Sequence, residues 1–260
     1  MPTMRLTVIT ALLLSFAPAR AADPVMASGG TLRAAYIVTN LAQAQLNPIT
    51  GAITGVSADL ARELGRQAGL PVTIIPVANA TMVLDAVRTG TVDIGFVAPN
   101  PARTGIVLYS QPYMLVQQSA LVPDGSSIQS VAELDRPGQT IGVNTDDSVG
   151  IWLRGRLTAG RLRDTPDYTL RDAVRWFADG SIQAFAGNRQ RLREATKDDP
   201  GLHLLPDNLY GVPQTVAVPL DRADRVAAVD AAIAALRTSG FLADAVSRSG
   251  VDGISVAPAR

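Results

Sequence analysis

Two β-type runs flank a short helical stretch that ends at a glycine, between positions 71 and 98. They constrain the fold more than any other part of this chain. Residues 71–77 are β-branched in character. Residues 81–89 place Met82, Ala86 and Val87 at helical spacing, and Gly90 stops the run. Residues 92–98 are then continuously apolar, the pattern of a strand buried on both faces. A strand, a helix and a second strand joined by short turns predict a parallel pair with a right-handed crossover. The same rhythm starts upstream. Residues 31–39 read as a strand, Asn47-Pro48-Ile49-Thr50-Gly51 as a turn, and Val56, Leu60, Leu64 and Ala68 mark a helix over 56–69. Ser57 is the expected N-cap of that helix and Gly69 its stop.

The second half repeats the style without repeating the sequence. A short helix is expected at 131–134, a loop and strand at 138–143, a mostly helical stretch at 148–163 and a helix at 169–179. A strand follows at 181–186, and two helices close the chain at 224–239 and 240–248. Extended runs at 113–122 and 214–220 flank this second unit. Trp152 and Trp176 fall within expected helices and read as core. His203, in the short strand 201–206, reads as an edge residue.

The N-terminus has the physics of an export signal. Arg5 supplies the positive end and residues 6–17 an apolar core too short to span a bilayer. Ala19-Arg20-Ala21 offers a small-x-small site, so residues 1–22 are expected to be removed by cleavage near Ala21/Ala22, giving a periplasmic protein. Residues 23–260 suffice for one large or two small domains. The chain has no cysteine, which excludes disulfides and a lipid anchor on an N-terminal cysteine. Lys+Arg and Asp+Glu balance at 23 each with no basic block, so no nucleic-acid partner is expected. One histidine and no cysteine argue against a zinc site, and no metal or cofactor is expected.

Three motifs follow one another in order: Thr89-Gly90-Thr91-Val92-Asp93-Ile94, then Pro101-Ala102-Arg103, then Tyr109-Ser110-Gln111-Pro112-Tyr113. Together they resemble the G-x-x-D, T-x-x-R and F-S-x-P-Y series of the family 3 extracellular solute-binding proteins, the periplasmic receptors of polar amino-acid ABC importers. The stretch from Asn47-Pro48-Ile49-Thr50-Gly51 through Gly55 to Asp59-Leu60 resembles that family's T-G-x-x-x-G-x-x-x-D-L pattern. The resemblance implies an α/β fold of two lobes (periplasmic binding protein type II), each a mainly parallel sheet flanked by helices, with two crossing strands. It puts residues 23–115 and 215–260 in lobe 1, residues 116–214 in lobe 2, and the ligand in the cleft between them. It further implies a monomer whose partners are a small solute and an inner-membrane permease.

Site residues carry over position by position. Arg103, a surface loop arginine by residue type alone, matches the guanidinium that clamps the ligand carboxylate in the family. Asn144-Thr145-Asp146-Asp147-Ser148 stands where the family reads G-S/T-T, and only Ser148 keeps a hydroxyl. Asp146 and Asp147 either cap the following helix or present a carboxylate to a ligand ammonium. Asn188 occupies the usual place of an ammonium-binding aspartate, as an amide ligand or a plain strand-end turn residue. Val97-Ala98-Pro99-Asn100 replaces a Ser-x-Ser/Thr run, and Asn79-Ala80 stands where a stacking aromatic is usual. Asn40 adds a polar contact after the first strand. The expected pocket is amide-rich and aromatic-poor. The expected function is capture of a small carboxylate-bearing solute without catalysis. The alternatives are an exported small-acid dehydratase-like enzyme, with Asp146 or Asp147 as its acid or base, and a receptor for a signalling partner.

Overall fold

The computed structural model describes residues 23–27, 29–100, 105–145, 147–166 and 170–259. Residues 1–22, read above as an export signal, Arg103 and Asp146 lie outside the described residues. The first unit runs β1 (Leu32–Ile37), a small hairpin β2 (Gln45–Leu46) and β3 (Ile53–Thr54), α1 (Val56–Ala68), β4 (Val72–Val77), α2 (Ala80–Arg88), β5 (Ile94–Val97) and β6 (Val107–Tyr109). β1 lies between β4 and β5 and is parallel to both, as the βαβαβ rhythm requires. All four residues of β5 are buried.

Two details of this unit differ from the sequence reading. Ser57 does not cap α1. Gly55 holds the N-cap position at φ 120°, where a Cβ would sit 2.9 Å from both Ala44 Cα and Gln43 O. The chain at 43–44 passes so close that the Gln43 carbonyl itself takes the Ser57 N–H at 3.0 Å. The Ser57 hydroxyl is freed to bond the Tyr113 hydroxyl at 2.6 Å in the core. The second correction concerns α2, which buries Val83, Leu84 and Val87 and leaves Met82 half exposed. Gly95 of β5 sets that face: a Cβ there would meet Val83 Cγ1 at 2.4 Å and Val87 Cγ2 at 2.9 Å, so the helix rests directly on the strand.

The second unit comprises β7 (Met114–Pro123), a 3-10 turn at Val131–Leu134, β8 (Thr140–Asn144), α3 (Ser148–Arg154), β9 (Arg161–Thr165), α4 (Arg171–Ala178), β10 (Ala184–Asn188), α5 (Arg189–Asp198) and β11 (Leu202–Leu204). The helix expected over 148–163 stops at Arg154, and β9 pairs parallel to β8 instead. The Asp135 carboxylate turns the chain by accepting the N–H groups of Thr158, Ala159 and Gly160 at 2.8–3.0 Å. Those bonds hold its carboxyl well below the usual carboxylate range. The strand expected at 181–186 starts three residues later, because the Ser181 and Ile182 N–H groups bond back to the Trp176 carbonyl. Trp176 is buried in a core with Phe185, Leu121 and Leu192. His203 sits on β11, with Nδ1 3.2 Å from Asp124 Oδ1.

The chain closes with β12 (Tyr210–Pro219), α6 (Ala223–Thr238), α7 (Phe241–Ser249) and β13 (Ile254–Val256). β12 joins the units. Tyr210–Gln214 pair antiparallel with β7, and Thr215–Pro219 pair with β5 and β6. The main strand order is therefore β4-β1-β5-β12-β7-β10-β8-β9. Each end of this sheet is sandwiched by its own helices. Leu60, Leu64, Val229, Ile233 and Leu242 pack on one face of the first unit. Val149 and Leu153 pack on Ile141, Val143, Ala184 and Ala186 in the second.

Candidate functional site

The carboxyl ends of strands from both units converge on one cleft. Asn40 follows β1, Ala98 follows β5, Asp147 and Ser148 follow β8, and Asn188 ends β10. Ligands of α/β sheets bind at such a place. A cavity of about 200 Å³ and an adjoining one of about 870 Å³ share Ile37, Asn40, Ala80, Asp147, Ser148 and Asn188 as walls. The crossing strands form the floor: Val116 and Gln118 from β7, Val212 and Gln214 from β12. Five residues singled out in the sequence thus meet in one place: Asn40, Asn79, Asp147, Ser148 and Asn188. The sixth, Arg103, falls between β5 and β6 in the sequence, outside the described residues.

Several of these groups also have local structural work. Asn79 caps α2, its side-chain oxygen accepting the Met82 N–H at 3.0 Å. Asn188 caps α5 in the same way, accepting the Arg191 N–H at 3.2 Å. Each keeps its NH₂ as the group it can offer a solute. Asp147 is the N-cap residue of α3, but its side chain makes no cap bond. It pairs instead with Arg191, whose Nη2 lies 3.4 Å from Asp147 Oδ2 and 2.5 Å from Asn144 Oδ1. Ser148 Oγ donates to Asp147 Oδ1 at 3.4 Å, and burial pushes the Tyr210 phenol up, with the nearby Ser148 side chain working the other way. Tyr210 stacks on Trp152 with ring centroids 4.7 Å apart and planes 9° apart.

Sequence reasoning missed three polar residues of the cleft. Arg191 was invisible because 189–198 carries no apolar period: among its described side chains Leu192 is the one fully buried. Gln118 and Gln214 sit in runs read simply as crossing strands. Both are 3% exposed. Gln214 Oε1 accepts from Gln43 Nε2 at 2.9 Å, and Gln43 Nε2 also reaches the Phe96 carbonyl at 3.3 Å. A polar side chain inside an apolar run was the available signal.

Two α/β sheets joined by two crossing strands, with a polar cleft at the strand ends, define the type II periplasmic binding proteins. The family model described as bacterial extracellular solute-binding proteins, family 3, matches residues 39–248, and the chain belongs to that family. Among solved structures it is similar to a binding component of an ABC transporter from Wolinella succinogenes complexed with lysine. The identity is 20%, the alignment covers 85% of this chain and 95% of that one, and the TM-score is 0.66. It is also similar to a solute receptor for L-cysteine of Neisseria gonorrhoeae, at 23% identity, 86% and 91% coverage and a TM-score of 0.63. A third similar structure is an ancestral amino-acid-binding protein, a precursor of cyclohexadienyl dehydratase, at 19% identity, 87% and 99% coverage and a TM-score of 0.64. A search of curated proteins gave no match.

Proposed function

We propose that this protein is an exported receptor that captures a small carboxylate-bearing solute, an amino acid or a derivative of one, and presents it to the permease of an ABC importer. The supporting observation is the cleft itself. Hydrogen-bonding groups from both units face one cavity system, and the units are joined through two strands about which they can close. Arg103 from the first unit clamps the carboxylate, and Ser148, on the first turn of α3, contacts it from the second. Asn40, Asn79 and Asn188 complete an amide-lined wall, and no catalytic step is assigned. Asp147, the one described acid at the mouth of α3, is paired with Arg191 and so serves the wall rather than proton transfer.

Closure is tested by small-angle scattering. Saturation with a bound amino acid is expected to shrink the radius of gyration as the lobes rotate about 115–120 and 214–219. An unchanged radius at saturation argues against a hinge receptor. Export is tested by mass spectrometry of the periplasmic fraction, where the mature chain is expected to begin at Ala22 or Asp23. Finding the protein only in the cytoplasm, with Met1 intact, contradicts export.

A further inference from the structure

We propose that Gln118 selects the solute: its side-chain oxygen accepts a hydrogen bond from a neutral N–H donor of the carboxamide type at the floor of the cleft. This rests on the receptor reading above. Gln118 is 3% exposed and lines the smaller cavity. Its Nε2 donates to the Val116 carbonyl at 3.2 Å. That bond fixes the amide's orientation, because a flip would set oxygen against oxygen. The Oε1 left facing the other way has no hydrogen-bond donor among the described residues. Buried polar groups are nearly always paired in native proteins, so an orphan on a cavity wall points to a partner that arrives with the ligand.

The strand register sharpens the assignment. Gln118 lies directly opposite Asn188 on β10 and Tyr210 on β12. Residues directly opposed across antiparallel strands share a face, so three polar tips form one row. The Asn188 oxygen is committed to the Arg191 N–H, and the Ser148 hydroxyl beside the row donates to Asp147. Of the two amide oxygens in that row, the one of Gln118 is without a donor among the described residues. Charge then narrows the class. Val116 and Val212 flank the position, and Asp147, the one acid among the described residues lining the smaller cavity, already pairs with Arg191, so a buried ammonium there would lack an unpaired carboxylate. A solute carboxylate would set its own oxygens against Oε1. A neutral N–H meets neither penalty.

The test is calorimetric titration of the purified protein with L-asparagine, L-aspartate, L-glutamine, L-glutamate and L-lysine. At least one carboxamide is expected to bind tenfold or more tighter than its own acid and than L-lysine. Gln118→Met is expected to weaken that carboxamide at least tenfold, and to raise the melting temperature of the ligand-free protein by about 2–4 °C by removing the orphan acceptor. Should Gln118→Met fail to fold, Gln118→Glu decides, with preference expected to move toward L-lysine. The proposal is overturned if the acids or L-lysine bind as tightly as the amides, if the variants bind as wild type does, or if nothing on the panel binds. An acid bound tightly by wild type and lost in Arg103→Ala overturns the role of Gln118 while the receptor reading stands. No binding by any of the five together with no compaction under scattering overturns both.

Discussion

Asp93→Asn is expected to destabilise the protein by about 3–5 kcal/mol, the cost of breaking a buried ion pair from one side. Asp93 is 3% exposed and accepts three hydrogen bonds from Arg33, at its N–H, Nε and Nη2, between 2.9 and 3.1 Å. Arg225, also 3% exposed, has Nη1 3.7 Å from the same carboxylate. Its other bonds go to neutral oxygens, the Val25 and Asp93 carbonyls at 2.8 Å. Burial already pulls the Arg225 pKa down, so its charge depends on the neighbouring carboxylate. The substitution keeps the shape but turns an NH₂ toward two guanidiniums and removes the buried carboxylate beside Arg225. Urea unfolding should show a lower midpoint with an unchanged slope. Adding Arg225→Met should recover much of the loss. A loss below about 1 kcal/mol, the range of an exposed pair, would contradict this account. The aspartate of the sequence motif is thus a structural anchor. It precedes β5, whereas the cleft opens beyond the other end of that strand.

Arg103→Ala is expected to cost about 2–5 kcal/mol of binding free energy, if closure buries the charge pair it makes with a solute carboxylate. That exceeds a tenfold loss of affinity. In the sequence Arg103 lies between Ala98, on the cavity wall, and Val107, where β6 begins. Arg103→Lys keeps the charge and loses the planar fork, so it should fall between wild type and alanine. The measurement is calorimetric affinity for whichever amino acid wild type binds most tightly, compared with its carboxyl-amidated form. Amidation should cost wild type dearly and Arg103→Ala little. Equal affinities for wild type and Arg103→Ala would remove Arg103 from the site.

Much of the fold was legible because its helices bury simple stripes. Val56, Leu60, Leu64 and Ala68 are all buried on α1, and Gly69 ends it at φ 67°, as its glycine suggested. The misses share a cause: tertiary contacts decided what local pattern could not. β9 is the outermost strand of its sheet, and its sequence Arg-Leu-Arg-Asp-Thr buries only Thr165, so no apolar alternation marks it. Ser57 looked like a cap because its type favours caps, but a carbonyl from residue 43 was closer. In the cleft, Asn40, Asn79, Asp147, Ser148 and Asn188 come together; most of them are singled out by the family resemblance, which ties them to strand ends and helix starts. The pairing of Arg191 with Asp147 was not legible, since it depends on how α5 and α3 lie together.

The two strands by which the chain crosses between the units have a consequence for how such a molecule can be rebuilt. The chain leaves the first unit along β7 and comes back along β12, and these strands run side by side, with Gln118 opposite Tyr210 and Met114 opposite Gln214. Everything between them is a single cassette whose entry and exit are adjacent. Exchanging it for the matching cassette of a relative needs only two junctions, both within one hydrogen-bonded ladder. Such an exchange would renew one wall of the cleft in a single step and leave the opposite wall untouched. Half a recognition site is therefore a portable unit in this architecture.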